Sequence, residues 1–156
     1  GGCPRQFVEL PANLLGDLPQ PLVGRGAAYA DYDGDGDLDV VLTQAGGAPR
    51  LLRNDQALGH RWLRLRLVDE GPNRDALGAR VRLLAAGRVQ ERRVAPARSY
   101  LSQVELPLTF GLPADDAPVT VEVRWPDGTV EIFDAVPGLR EVEIRRGNGA
   151  DPAPTG

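Results

Sequence analysis

Between positions 31 and 39 the chain sets a carboxylate at every second residue: Asp31-Tyr32-Asp33-Gly34-Asp35-Gly36-Asp37-Leu38-Asp39. Like charges this dense repel one another when the segment closes into a loop, so a compact fold calls for a cation among them. Calcium suits such a loop because it takes about six to eight oxygens in a flexible shell. In the usual geometry of such loops the side chains of Asp31, Asp33 and Asp35 bind. The backbone carbonyl of Asp37 joins them, Gly36 makes the sharp turn and Asp39 closes the shell.

An EF-hand does not fit. It needs a bidentate Glu at the twelfth position and a helix on either side, whereas the twelfth residue is Leu42 and Leu38-Asp39-Val40-Val41-Leu42-Thr43 reads as a buried strand. Strand signals dominate the rest of the chain, because apolar residues recur at spacing two. Val119, Val121, Val123 and Trp125 fall on one face, with Thr120, Glu122 and Arg124 on the other. Leu63, Leu65 and Leu67 alternate with Arg64 and Arg66, predicted to point outward; shorter alternations occur at Val81 and Leu83, at Ile132, and at Val142 and Ile144. Turn signals separate the runs, and Pro126-Asp127-Gly128 predicts a hairpin. The expected class is all-β: an antiparallel β-sandwich or barrel preceded by one small calcium-binding strand unit. The one helical fragment expected spans residues 11–18.

Several functions are disfavoured by what the chain holds. His60 is the single histidine, so a histidine-based acid/base pair or metal site cannot be assembled. No Gly-x-Ser-x-Gly elbow frames Ser99 or Ser102. Asp115-Asp116, flanked by prolines and alanines, reads as a surface loop, so no catalytic residue is assigned and the chain is expected not to be an enzyme. No apolar run reaches the roughly 20 residues of a membrane-spanning helix. All 18 basic residues are arginine, yet the net charge is −4. Residues 1–49 carry 2 Arg and 7 acids, residues 50–98 carry 12 and 5, and residues 99–156 carry 4 and 10. A basic centre between acidic ends, with only 8 aromatics in the chain, predicts no nucleic-acid partner. Arg61, Arg64, Arg66, Arg80, Arg82, Arg88, Arg92, Arg93 and Arg98 are instead expected on a solvated or inter-subunit face. Cys3 has no partner within the chain; an inert thiol, an intermolecular disulfide and a lipid attachment point all remain open. The missing Met is expected to reflect a processed or truncated start.

Two resemblances follow from ordered motifs. Gly24-Arg25-Gly26-Ala27-Ala28, the aspartate loop and Leu51-Leu52-Arg53-Asn54 resemble one FG-GAP or VCBS-type calcium-binding repeat, the blade unit of integrin-like β-propellers. The remainder resembles the ASPIC and UnbV domain, through His60-Arg61-Trp62-Leu63, Asn73-Arg74-Asp75-Ala76-Leu77-Gly78-Ala79-Arg80-Val81, Ser99-Tyr100-Leu101-Ser102-Gln103, Phe110-Gly111-Leu112 and Val123-Arg124-Trp125-Pro126-Asp127-Gly128. The divisions implied are an N-terminal extension (residues 1–23), the repeat (24–58), the β-sandwich (59–146) and a flexible tail (147–156).

The resemblance implies a secreted, extracellular, calcium-dependent and non-catalytic protein, with Asp31, Asp33, Asp35, Asp37 and Asp39 as metal ligands. A single blade cannot bury its own faces. It is expected to pack on its sandwich, to belong to a longer protein, or to be covered by neighbouring copies. In the last case Gln6-Phe7-Val8-Glu9-Leu10 would add as a strand, and the charge segregation favours head-to-tail association into a filament or adhesive subunit. The alternative is a module for glycans or an extracellular protein, with Trp62, Tyr100 and Tyr29 as candidate contacts.

Overall fold

In the computed structural model, residues 8–9, 11–55, 61–114, 119–138 and 140–152 are described. Cys3, His60, Asp115 and Asp116 lie outside them, as do Gln6, Phe7 and Leu10 of the expected donor strand. Val8 and Glu9 are exposed and in no strand.

The protein is all-β. Residues 11–18 form a short 3-10 turn, Ala12–Leu14, and further turns instead of an α-helix. Leu18 N–H donates to the Leu15 carbonyl and Gln20 N–H to that of Asp17. A three-stranded antiparallel sheet follows: β1 (Gly24–Ala30), β2 (Asp39–Gln44) and β3 (Arg50–Leu52), in that order. The aspartate loop is the connection between β1 and β2.

The larger unit is a β-sandwich. One sheet has the order β12 (Arg140–Arg145), β4 (Arg61–Val68), β9 (Leu108–Leu112). The other is β11 (Val130–Val136), β10 (Val119–Arg124), β5 (Arg80–Ala85), β6 (Arg88–Arg93). A two-stranded ribbon of β7 (Ala97–Ser99) and β8 (Ser102–Gln103) lies beside β1. The alternation decides the core: Leu63, Leu65 and Leu67 from β4 meet Val81 and Leu83 from β5 and Val119, Val121 and Val123 from β10, with Phe110, Trp125 and Ile144 completing it. Burying one such leucine contributes about 2 kcal/mol.

Pairing is antiparallel throughout except for β12, which runs parallel to β4. Local alternation does not encode strand direction, and a return from a distant part of the chain permits either sense. A second departure lies on β11, where Phe133, not Ile132, packs on the core. Phe133 is the register partner of core-facing Val121, and Ile132 that of Glu122. The pairing then slips between Val119 and Val121, opposite Ala135, whose φ is 55°. This bulge lets Val136 also turn inward.

The stretch expected as a free tail is docked over residues 147–150. The Glu131 carboxylate accepts hydrogen bonds from the N–H groups of Gly147 (2.9 Å) and Gly149 (3.3 Å). Ile132 and Ala150 exchange backbone hydrogen bonds of 2.8 and 2.9 Å, capping the β11 edge.

The predicted hairpin joins β10 to β11. Gly128, at φ 92°, donates its N–H to the Trp125 carbonyl at 2.9 Å. Asp127 accepts from the hydroxyl (2.7 Å) and N–H (3.1 Å) of Thr129 and also binds Arg146. The Thr129 hydroxyl first, and the Arg146 guanidinium second, hold the Asp127 carboxyl well below the usual carboxylate range, at about 2. Because this pKa is depressed on folding, the contribution of Asp127 to stability is present above the ordinary carboxylate range and lost as pH falls through about 2. A carboxyl NMR titration should place the Asp127 midpoint near 2, and Thr129→Ala should move it upward.

Candidate metal centre

Oxygens of Asp31, Asp33 and Asp39 lie within 4.8 Å of one another. Backbone donors shape this cluster. Asp31 Oδ1 accepts from Gly34 N–H at 2.7 Å and its Oδ2 from Gly36 N–H at 3.2 Å, folding the loop back over its first residue. Gly34 and Gly36 have φ of 78° and 93°, a region that glycine enters without strain. Asp39, 2% exposed, accepts from Tyr32 N–H at 2.9 Å and from Asn54 N–H at 2.8 Å, so it ties both ends of the small sheet together.

The other two aspartates are placed differently. Asp35 Oδ1 accepts from Asp37 N–H at 2.9 Å. Neither the Asp35 nor the Asp37 side chain belongs to the three-carboxylate group among the described residues.

The loop does not stand alone. Arg64, on the outer face of β4, reaches it from beneath, with Nη1 2.9 Å from Asp31 Oδ2. The same guanidinium pairs with Glu105 and lies 3.2 Å from Glu141. Arg64 thus points away from the sandwich core, as the alternation requires, yet its side chain is only 12% exposed because the loop covers it. Glu105 also accepts from Asp31 N–H at 3.3 Å, and its Oε1 is buried without a hydrogen bond among the described residues. Burial pushes the Glu105 carboxyl up, against the opposing pull of Arg64. Above the loop, Arg53 lies 3.8 Å from Asp33.

The donor set suits a hard cation. It is all oxygen; Asp31, Glu105 and Glu141 share the one Arg64 guanidinium, and Arg53 lies nearer Asp55 (2.6 Å) than Asp33 (3.8 Å). A carboxylate oxygen that accepts one N–H retains a second lone pair for a metal.

Trp62 and Ser102 join the units further. A Cβ at Gly36 would lie 2.1 Å from Trp62 Nε1, so the indole lies directly against the loop. The buried Ser102 hydroxyl accepts from Ala27 N–H at 3.2 Å and donates to the Tyr100 carbonyl at 3.0 Å. The blade-like sheet is therefore packed on its own sandwich. On another side, Arg50 donates to the carbonyls of Gln20 and Pro21, both at 3.1 Å. Of the aromatic candidates for ligand contact, Trp62 is engaged by the loop and Tyr29 is half-buried, whereas Tyr100 is 79% exposed beside Leu101.

The sandwich matches a known family profile, ASPIC and UnbV, over residues 69–151. The chain belongs to the ASPIC and UnbV family. It is 34% identical over 111 residues to cartilage acidic protein 1 of Xenopus tropicalis, a match covering 69% of this chain and 17% of that protein. With the proteins of that name from Mus musculus and Homo sapiens it shares 35% identity over 109 residues, covering 67% of this chain and 17% and 16% of theirs. The chain thus spans about a sixth of the length of these curated relatives. Of the residues that build the acidic centre, only Glu105 and Glu141 fall inside the ASPIC and UnbV match. The loop, Trp62 and Arg64 precede it.

The sequence reading missed Glu105 and placed Arg64 on a solvated or inter-subunit face, whereas its guanidinium is covered by the loop of the same chain. Neither carried a motif; the surplus of acids near the loop over available cations was the signal present. Three substitutions test the packing. Gly36→Ala should cost about 3 kcal/mol in urea unfolding, from left-handed strain plus collision with Trp62. Gly34→Ala, with open space around its Cβ, should cost about 1 kcal/mol. Arg64→Gln, which strands buried carboxylates, should cost about 3 kcal/mol.

Proposed function

We propose that this ASPIC and UnbV chain is a calcium-binding structural or interaction module of the extracellular space, acting by binding and not by catalysis. The observation that carries this reading is the convergence of Asp31, Asp33 and Asp39 oxygens within 4.8 Å of one another. We assign Asp31, Asp33, Asp35 and Asp39, with the Asp37 carbonyl, as the residues that hold Ca²⁺, and the three-stranded unit as an FG-GAP or VCBS-type repeat. The bound ion supplies neutralisation that Arg64 and Arg53 leave incomplete, and so stiffens the seam between the small sheet and the sandwich. The extracellular assignment draws support from the name of the cartilage relatives. Extracellular modules commonly bind calcium at about 10⁻⁴ to 10⁻³ M.

A second reading, self-association, is favoured by one feature. The small sheet leaves β3 as an edge away from the β7–β8 ribbon, and Val41 and Leu51, register partners on one face, are 36% and 51% exposed. An open edge beside an apolar face is a template for strand addition.

Thermal melts with about 10 mM calcium and then with chelator decide the first reading. Saturation of a site in this affinity range adds about 2 kcal/mol, or roughly 4–8 °C in Tm for a chain of this size. Asp33→Asn should abolish the calcium increment, whatever its melt in chelator; identical melts of the parent protein with and without calcium would overturn the proposal. Sedimentation of the same samples tests the second reading: a monomer at high concentration in calcium excludes it.

A further inference from the structure

The outer face of the four-stranded sheet carries a charge arrangement that the calcium reading does not use. Arg124 on β10 is the register partner of Arg80 on β5, and Arg80 that of Arg93 on β6. All three turn away from the core, since their neighbours Val123 and Val81 are buried and Arg92 lies over the inward Phe110 ring at 5.3 Å. Adjacent strands are about 4.8 Å apart, so three guanidinium stems stand in a line about 10 Å long. Like charges directly opposite one another across strands are destabilising.

The next row along the strands has its cation paired: Arg82 lies between Glu122 and Glu91 in register, one charge in excess on the acidic side, and is 3.0 Å from Glu122. The arginine row is not so paired. Arg80 has a single long contact, 3.8 Å to Glu91, and among the described residues Arg93 and Arg124 hold no ion pair. Arg80, Arg82, Arg124, Glu91, Glu122 and Val130 line a shallow depression of about 330 Å³ on this face.

We propose that this row is a docking surface for an anionic polysaccharide, whose sulfate or carboxylate groups recur along an extended chain lying across the strands. A guanidinium presents a planar fork of donors matched to sulfate and carboxylate oxygens. A line of three fits a repeating polyanion, where a single small anion would satisfy one or two. The face is a flat sheet with no aromatic on its outward positions in β5, β6, β10 or β11. It lacks the stacking platform that single-stranded nucleic acid uses. The proposal is independent of the aspartate loop and stands or falls separately from it.

The test uses the full chain and two probes, a heparin octasaccharide and a single-stranded oligonucleotide of equal charge, titrated calorimetrically over a range of salt. The parent protein should bind the octasaccharide, more weakly as salt rises, and prefer it to the oligonucleotide. Arg93→Gln and Arg124→Gln should each weaken binding roughly 5-fold and lower the salt slope by about one charge. Arg145→Gln, on β12, should leave it unchanged. In the free protein the first two substitutions should raise Tm by a few degrees at low salt, because they relieve repulsion, which separates lost contact from lost folding. Unchanged affinity in both variants, or equal binding of the oligonucleotide, would overturn the proposal. So would loss of self-association in these variants without loss of octasaccharide binding, since the occupant would then be a second copy of the chain.

Discussion

Arg64 is where two separate hydrophobic units become one molecule. Its stem rises from the sandwich between core leucines on either side in sequence, and its guanidinium meets Asp31, Glu105 and Glu141 beneath the loop. Sheets usually join through apolar faces, but the small sheet has too few residues to bury much, and charge joins the Trp62 indole and the Ser102 hydroxyl in making the contact. A buried ion network gains little over an apolar seam in net stability, yet it penalises any misalignment that leaves one partner unmatched. The acidic loop is therefore held in one orientation on the sandwich.

The proposed calcium site draws on the same imbalance of charge. One guanidinium cannot balance the carboxylates gathered around it, and Asp31 and Asp39 have already committed lone pairs to backbone N–H groups that fix the loop. The less committed carboxylates, Asp33 and Asp35, lie toward solvent. Structural roles are thus divided unequally among residues that look equivalent in sequence.

Much of the architecture was legible because a strand with one buried face writes its pattern at spacing two. Leu63, Leu65 and Leu67, and Val119, Val121 and Val123, fall on the core face, and the Pro126-Asp127-Gly128 turn joins the strands that it punctuates. What was not legible depends on partners remote in sequence. Alternation marks Arg64 as pointing away from the core but cannot say that another sheet lies there. Register with β10 turns Phe133 inward in place of Ile132, the bulge at Ala135 then returns Val136 to the core, and no turn residue announces either. Glycine and proline after position 146 suggest freedom, whereas Glu131 captures the backbone of that segment. The aspartate loop was plain in sequence, but which carboxylates converge follows from backbone hydrogen bonds that spacing alone does not fix.

The parallel pairing of β12 with β4 bears on how the chain reaches this state. The first strand of the sandwich finds one of its neighbours only in the last, so one of the two sheets cannot be completed until nearly the whole domain has left the ribosome. Closing so distant a contact carries a loop-entropy cost that no local hairpin offsets. Until then β4 presents an unpaired edge bearing three large apolar side chains, and the nascent chain is most exposed to misassociation during that interval.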